Sequence, residues 1–180
     1  MVIVVWIVSE AVIGVRHAGG PGDLRQDRLS GPALIGSVVL SVVLGSNLAT
    51  QASWASIGTG REALFGLGLF VAIGGVALRQ AAVAALGRFF TTRVTTRADQ
   101  TVVDTGPYRY VRHPSYSGML ITVLGVLLCS TNWVSLACFA LAIPGTAYRI
   151  RVEERALAGA LGEPYRAYMS RTKRLVPFVV

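Results

Sequence analysis

Charged side chains are scarce in this sequence: Asp, Glu, Lys and Arg make up 14% of it, against about 25% in soluble domains. Hydrophobic residues account for 53%. An ordinary soluble globular domain is therefore excluded, and so is a nucleic-acid binder, although the formal net charge is +8. Cysteine is limited to Cys129 and Cys138. Both lie in apolar stretches without metal-ligand spacing, so they read as small packing residues and no metal site is expected. The first apolar stretch, MVIVVWIVSEAVIGV, lacks a basic segment before it and carries Glu10 inside it. It reads as a retained span rather than a cleaved signal peptide.

What the sequence has instead is apolar runs, at about residues 2–15, 33–49, 63–86, 116–130 and 131–148. The fold class they predict is all-α: a polytopic membrane protein of about five transmembrane helices with a helical cytoplasmic C-terminal segment. A hydrocarbon core about 30 Å thick takes about 20 helical residues to cross, so the shorter runs call for tilt, local thinning or partial re-entrance. Basic residues gather in cytoplasmic loops. Placing the first loop in the cytoplasm puts Arg16, Arg25 and Arg28 there, then Arg79, Arg88, Arg93, Arg97, Arg109 and Arg112, then seven more from Arg149 to Arg174. Sixteen of seventeen basic residues thus share one side, and only Arg61 is opposite. The N-terminus is expected outside and the C-terminus in the cytoplasm, against anionic lipid. The Gly, Ala, Val and Arg usage suggests a bacterial inner membrane.

The connector at residues 19–32 is rich in turn-forming Gly and Pro and is assigned no chemistry. The long polar stretch from Leu86 to Pro114 predicts a short extended excursion ended by Gly106-Pro107. Beyond it, two apolar helices joined by Ser130-Thr131-Asn132 must be antiparallel neighbours, which returns His113 and Arg149 to the same side. Pro144 with Gly145 should kink the second of them. That helix should continue to Gly162, with Pro164 opening another. There Tyr165, Tyr168 and Arg171 recur every three residues, on adjoining parts of one face.

Arg149 and Glu153 are four apart and can meet; a plain interfacial salt bridge explains them equally well on spacing alone. Glu154 points about 100° further round, and one of the two carboxylates can be purely structural. His113 precedes a proline that holds it outside the helix Pro114 opens, beside unpaired N–H groups that favour an electron-rich partner. Headgroup anchoring accounts for at least one of Arg109 and Arg112. Glu10, a carboxylate within a span, raises the alternative of a small proton-coupled transporter; its plainer reading is a carboxylate satisfied by Ser9, Arg16 or a neighbouring helix.

The stretch GPYRYVRHPSYSG, followed by two apolar helices and then by EERAL, LGEPYRAY and RTKRLVPF, closely resembles the isoprenylcysteine carboxyl methyltransferase family, part of a wider group that includes phospholipid N-methyltransferases. The resemblance runs from about Leu86 to Phe178. It implies residues 1–85 as N-terminal transmembrane helices and residues 86–180 as a methyltransferase core, in one integrated domain. It also implies an enzyme that uses S-adenosylmethionine, releases S-adenosylhomocysteine, and takes a lipid-like or hydrophobic acceptor from the bilayer. Carried over by motif, the resemblance nominates Leu86, Gly87, Tyr108, His113, Tyr116, Glu153, Glu154 and Tyr165 as cofactor contacts. A carboxyl acceptor is favoured over an amine, thiol or hydroxyl. It would need a cation, for which Arg149 is the candidate, whereas an amine or thiol would need a base, for which Glu153 is.

Overall fold

A computed structural model describes residues 6, 10, 12, 13, 24, 25, 27, 29–91, 95, 96 and 100–176. Helices dominate: α1 is Ser30–Gln51, α2 Arg61–Leu86, α3 Pro114–Leu128, α4 Trp133–Ala137, α5 Ala142–Leu161 and α6 Glu163–Arg171. One exception is a two-residue antiparallel ladder pairing β1, Leu24–Arg25, with β2, Thr95–Thr96. β2 is the extended excursion expected in the long polar loop. Among the described residues, three stretches are long and apolar enough to cross a membrane: 30–51, 61–89 and 133–161, the last joining α4 and α5. α3 is shorter, at 15 residues. The first apolar segment lies mostly outside the described residues, although Trp6, Glu10, Val12 and Ile13 are helical.

Lipid removes the hydrophobic reason for helices to associate, so close backbone approach must supply dispersion and weak polar contacts instead. α2 and α3 achieve this with small residues on facing stripes, Gly68, Ala72 and Gly75 against Gly118, Thr122 and Gly125. A Cβ on Gly118 would fall 2.6 Å from the Arg79 backbone nitrogen, and one on Gly125 would fall 2.6 Å from the Gly68 carbonyl oxygen. α1 and α5 pack in the same way: a Cβ on Gly145 would fall 2.6 Å from the Ala33 carbonyl oxygen. Between these pairs sits a core of Trp6, Val38, Met119, Val123, Leu127 and Ala142.

The turn between α3 and α4 is the expected Ser-Thr-Asn. Thr131 adopts φ +46°, a costly conformation for a β-branched residue, and its carbonyl accepts from Ile57 N–H at 2.8 Å. Asn132 caps α4 by accepting from the Val134 and Ser135 N–H groups, while its own amide donates to the Ala52 carbonyl. Pro144 acts one turn upstream. It has no N–H to offer Ala140, and the chain tightens into a 3-10 turn at Cys138–Leu141. The Ala142 N–H then bonds Phe139 rather than Cys138, and Ser41 Oγ donates to the Cys138 carbonyl at 2.8 Å.

One expectation changes. Arg79, assigned by charge placement to a cytoplasmic loop, lies within α2 and is 8% exposed. Its guanidinium donates to both carboxylate oxygens of Glu10 and to the Ser115 carbonyl and hydroxyl. Glu10 is thus satisfied by a neighbouring helix, which accounts for a carboxylate at that depth without transport.

Candidate functional site

The site forms where α3 begins. Gly106, at φ +57°, turns the chain into a 3-10 segment, Gly106–Arg109, that buries Tyr108. This segment packs beside the end of α2: a Cβ on Gly106 would meet Ala85 at 3.5 Å, next to Leu86 and Gly87. Gly87, at φ +53°, ends α2. His113 lies just outside α3 and Pro114 at its first turn, as the His-Pro pair predicts.

The C-terminal segment folds back onto this stretch. Arg112 N–H donates to the Lys173 carbonyl at 2.7 Å, His113 N–H to that of Arg174 at 2.9 Å, and Ser117 Oγ to that of Leu175 at 2.6 Å. Gly162, at φ +62°, ends α5 and Pro164 lies in the first turn of α6, which stops at Arg171, four residues short of the stretch PYRAYMSRTKRL that the sequence pattern extends as far as Leu175. α6 buries Tyr165 and Tyr168 as one face, and the Tyr168 hydroxyl donates to the Tyr108 carbonyl at 2.7 Å. Arg171 lies over the Tyr168 ring.

The adjacent carboxylates part company here. Glu154 is buried and accepts from Arg112 Nε at 3.0 Å and from Arg174 Nε and Nη2 at 3.0 and 2.9 Å. His113 Nε2 lies 3.5 Å from a Glu154 oxygen; it is buried and makes no hydrogen bond among the described residues. Arg112 also donates to the Met169 and Thr172 carbonyls, so it is an internal clamp rather than a headgroup anchor, while Arg109 is exposed. Glu153, with 30% of its side chain exposed, faces another group. The Tyr116 hydroxyl donates to it at 2.6 Å, and Arg149 Nε donates to that hydroxyl at 3.1 Å. Arg149 and Glu153 come only to 4.0 Å; the expected i, i+4 pair is bridged by Tyr116, whose ring is 5.7 Å from that of His113.

The buried phenols are held neutral. Burial, with the nearby charge of Glu153 adding to it, pushes Tyr108 and Tyr165 well above the ordinary tyrosine range, and burial pushes Tyr168 up to about 12. They offer aromatic faces and hydroxyl donors, not bases. An open pocket of about 350 Å³ lined by Arg61, Glu62, Phe65, Cys129, Ser130 and Thr131 lies at the far end of α3, about 22 Å along a 15-residue helix. It shares no residue with this site.

Ser30, Asp27 and Arg174 were not nominated from the sequence. Arg149 Nη1 donates to Ser30 Oγ at 3.0 Å, and Asp27 accepts from the Leu29 and Ser30 N–H groups at 3.3 and 2.6 Å. The available signal was an acidic residue three before Ser30 at the start of an apolar run, a helix-start pattern.

A helical membrane protein with tyrosines, a buried histidine and two differently used carboxylates gathered at one end of its bundle is the class these features define. The chain belongs to the isoprenylcysteine carboxyl methyltransferase family, whose family model matches residues 67–159. It is similar to protein-S-isoprenylcysteine O-methyltransferase B of Arabidopsis thaliana, 37% identical over 115 residues covering 62% of this chain and 58% of the relative. It is also similar to the Schizosaccharomyces pombe protein-S-isoprenylcysteine O-methyltransferase, 33% identical over 105 residues covering 57% and 44% of the two. The chain therefore spans a little over half the length of the first of these relatives. A solved structure of the eukaryotic intramembrane Ras methyltransferase ICMT shares the fold, with TM-score 0.58 and 24% identity over 82% of this chain and 51% of that one.

Proposed function

We propose that this chain is an S-adenosylmethionine-dependent carboxyl methyltransferase that takes a hydrophobic acceptor from the bilayer; its relatives are named as protein-S-isoprenylcysteine O-methyltransferases. The observation that carries the reading is the hydrogen-bonded array at the start of α3. Tyr116 links Arg149 to Glu153, beside a buried His113 Nε2 with no hydrogen-bond partner among the described residues.

That donor set fits a molecule carrying a sulfonium, an ammonium and a carboxylate. Tyr108, Tyr116 and Tyr165 supply ring faces and hydroxyls. A neutral aromatic face attracts a cation by about 0.5–2 kcal/mol. Glu153 is the partially exposed carboxylate available to an ammonium or to ribose hydroxyls, and His113 Nε2 is a buried ring nitrogen whose nearest charged neighbour is Glu154 at 3.5 Å. Leu86 and Gly87, beside the 3-10 segment that buries Tyr108, would border the adenine. Glu154, already held by Arg112 and Arg174, orients His113 and fastens the C-terminal segment over the site. When bound, S-adenosylmethionine supplies an electrophilic methyl group on a positively charged sulfur.

The rest belongs to the chain. A carboxylate acceptor is ionised near neutral pH and needs no general base; it needs a cation to hold and aim it. Arg149, 4% exposed and always charged, provides one. Glu153 already accepts from the Tyr116 hydroxyl, with Arg149 4.0 Å away; the arrangement places a cation for a carboxyl acceptor, which favours that acceptor over an amine or thiol. Burial excludes water and holds both reactants in one orientation, and that is where most of the acceleration arises. Five spans, with the N-terminus outside and the site at the cytoplasmic face of a bacterial inner membrane, complete the proposal.

Calorimetric titration with S-adenosylhomocysteine in detergent tests it. The wild-type chain binds, and His113→Ala and Glu153→Ala each lose at least about tenfold in affinity, the cost of one charge-assisted hydrogen bond, while inserting normally. Absence of binding by the wild-type chain contradicts the reading.

A further inference from the structure

Arg149 is held from two sides. Its Nε donates to the Tyr116 hydroxyl at 3.1 Å and its Nη1 to Ser30 Oγ at 3.0 Å. Ser30 is wholly buried at the first turn of α1, in the part of the chain that precedes the family match at residues 67–159. A guanidinium can only donate, so Ser30 Oγ is the acceptor and keeps its own proton for a second partner. Asp27 lies just upstream: its carboxylate accepts from the Leu29 N–H at 3.3 Å, and hydrogen bonding to Ser30 and Leu29, with the charge of Arg149 beyond, holds its carboxyl below the ordinary range. Asp27 is anchored independently, accepting from the Ser30 N–H at 2.6 Å. The result is a continuous line, Asp27 to Ser30 to Arg149 to Tyr116 to Glu153, which ties the connector before α1 to the proposed acceptor site.

We infer that Ser30, fixed by Asp27, is a positioning residue that sets the direction of the Arg149 guanidinium toward the acceptor carboxylate. This rests on the methyltransferase reading above. An arginine side chain has four rotatable bonds, and in a site where a misplacement of about 1 Å costs about a hundredfold in rate, a second anchor matters. Tyr116 restrains Nε alone. Ser30 restrains a terminal nitrogen, and two points on a planar group fix its plane. Asp27 adds no contact to the acceptor; by accepting from the Leu29 and Ser30 N–H groups its carboxylate fixes the backbone that presents the Ser30 hydroxyl to Arg149. α1 thereby belongs to the reaction centre, although it carries none of the motif residues.

The test compares wild type, Ser30→Ala, Ser30→Thr and Asp27→Asn in detergent, with an S-prenylated N-acetylcysteine as acceptor. Two readouts are used: steady-state kinetics, and the ¹⁵N-detected Nε–H resonance of Arg149, assigned by its loss in Arg149→Lys. Ser30→Ala should raise the acceptor KM about tenfold, the loss of one charge-assisted hydrogen bond, with S-adenosylhomocysteine affinity unchanged and the Arg149 resonance shifted or exchange-broadened. Ser30→Thr keeps the hydroxyl and should restore both; Asp27→Asn should fall between. An unaltered KM and an unaltered resonance in Ser30→Ala overturn the inference while leaving the methyltransferase reading intact. If the wild-type chain neither binds S-adenosylhomocysteine nor transfers methyl groups, that reading fails. The resonance then decides alone whether Ser30 holds Arg149, and persistence of the wild-type signal in Ser30→Ala overturns it.

Discussion

At residue scale the contrast between Glu153 and Glu154 carries most of the chemistry. Glu154 is a buried carboxylate between two guanidiniums, and removing one partner from such a group costs about 3–5 kcal/mol because the others are left uncompensated. Glu154→Gln should therefore lower thermal stability by about 3 kcal/mol, read from melting in detergent. Glu153→Gln, at a partially exposed position, should leave the melting point within the change expected of about 0.5 kcal/mol yet weaken S-adenosylhomocysteine binding. Equal melting points for the two variants would contradict this division of labour. Helical geometry in the sequence separates the two carboxylates by about 100°, but it does not say which one turns inward. That depends on Arg112, 42 residues away, and on Arg174 in a segment that folds back along residues 111–117. Ser30 was equally hidden, because its partner Arg149 is 119 residues distant and the local signal marks only a helix start, not a contact to Arg149.

At the scale of elements, the account rests on close helix approach through small residues. Gly125→Val should destabilise the α2–α3 pair by about 1–3 kcal/mol, the usual cost of overpacking, since even a single Cβ there meets backbone atoms of Gly68 and Ala72. Unfolding in graded denaturant measures it; a wild-type midpoint would show that the pair does not depend on the approach. Gly36, where a Cβ meets nothing within 4 Å, is the control: Gly36→Ala should be neutral or slightly stabilising. The hairpin of α3 with α4 and α5 was legible because Ser130-Thr131-Asn132 is a strong turn signal and Asn132 a strong cap. The 3-10 tightening was legible only in part. Pro144 announces a lost donor, but the compensating Ser41 lies on another helix. α6 could not be ended from its pattern, because Thr172 leaves the helix to hold Tyr168 and Arg112, a tertiary demand.

At the scale of the whole molecule, three of the apolar runs fall in stretches long and apolar enough to cross a membrane among the described residues, and from the orientation expected on one-sided basic charge Arg79 and Arg112 drop out as internal clamps. Exposed Trp54 and Trp133 lie at the end opposite the site, where interfacial aromatics are expected. In a chain with Cys129 and Cys138 replaced by Ser, a cysteine at Thr59 should react with an impermeant maleimide in intact cells. One at Ser170 should react only after lysis. Reversed labelling would place the site on the outer face and contradict the proposed topology. If Arg149 holds the carboxylate that receives the methyl group, the product is an ester and its methyl group is alkali-labile. Purified chain is given S-adenosylmethionine labelled in its methyl group, with an S-prenylated N-acetylcysteine. Label should appear on the acceptor and be released as methanol by mild base, the behaviour of a methyl ester, and Arg149→Ala should abolish it. Base-stable label, or none with the wild-type chain, would contradict the account.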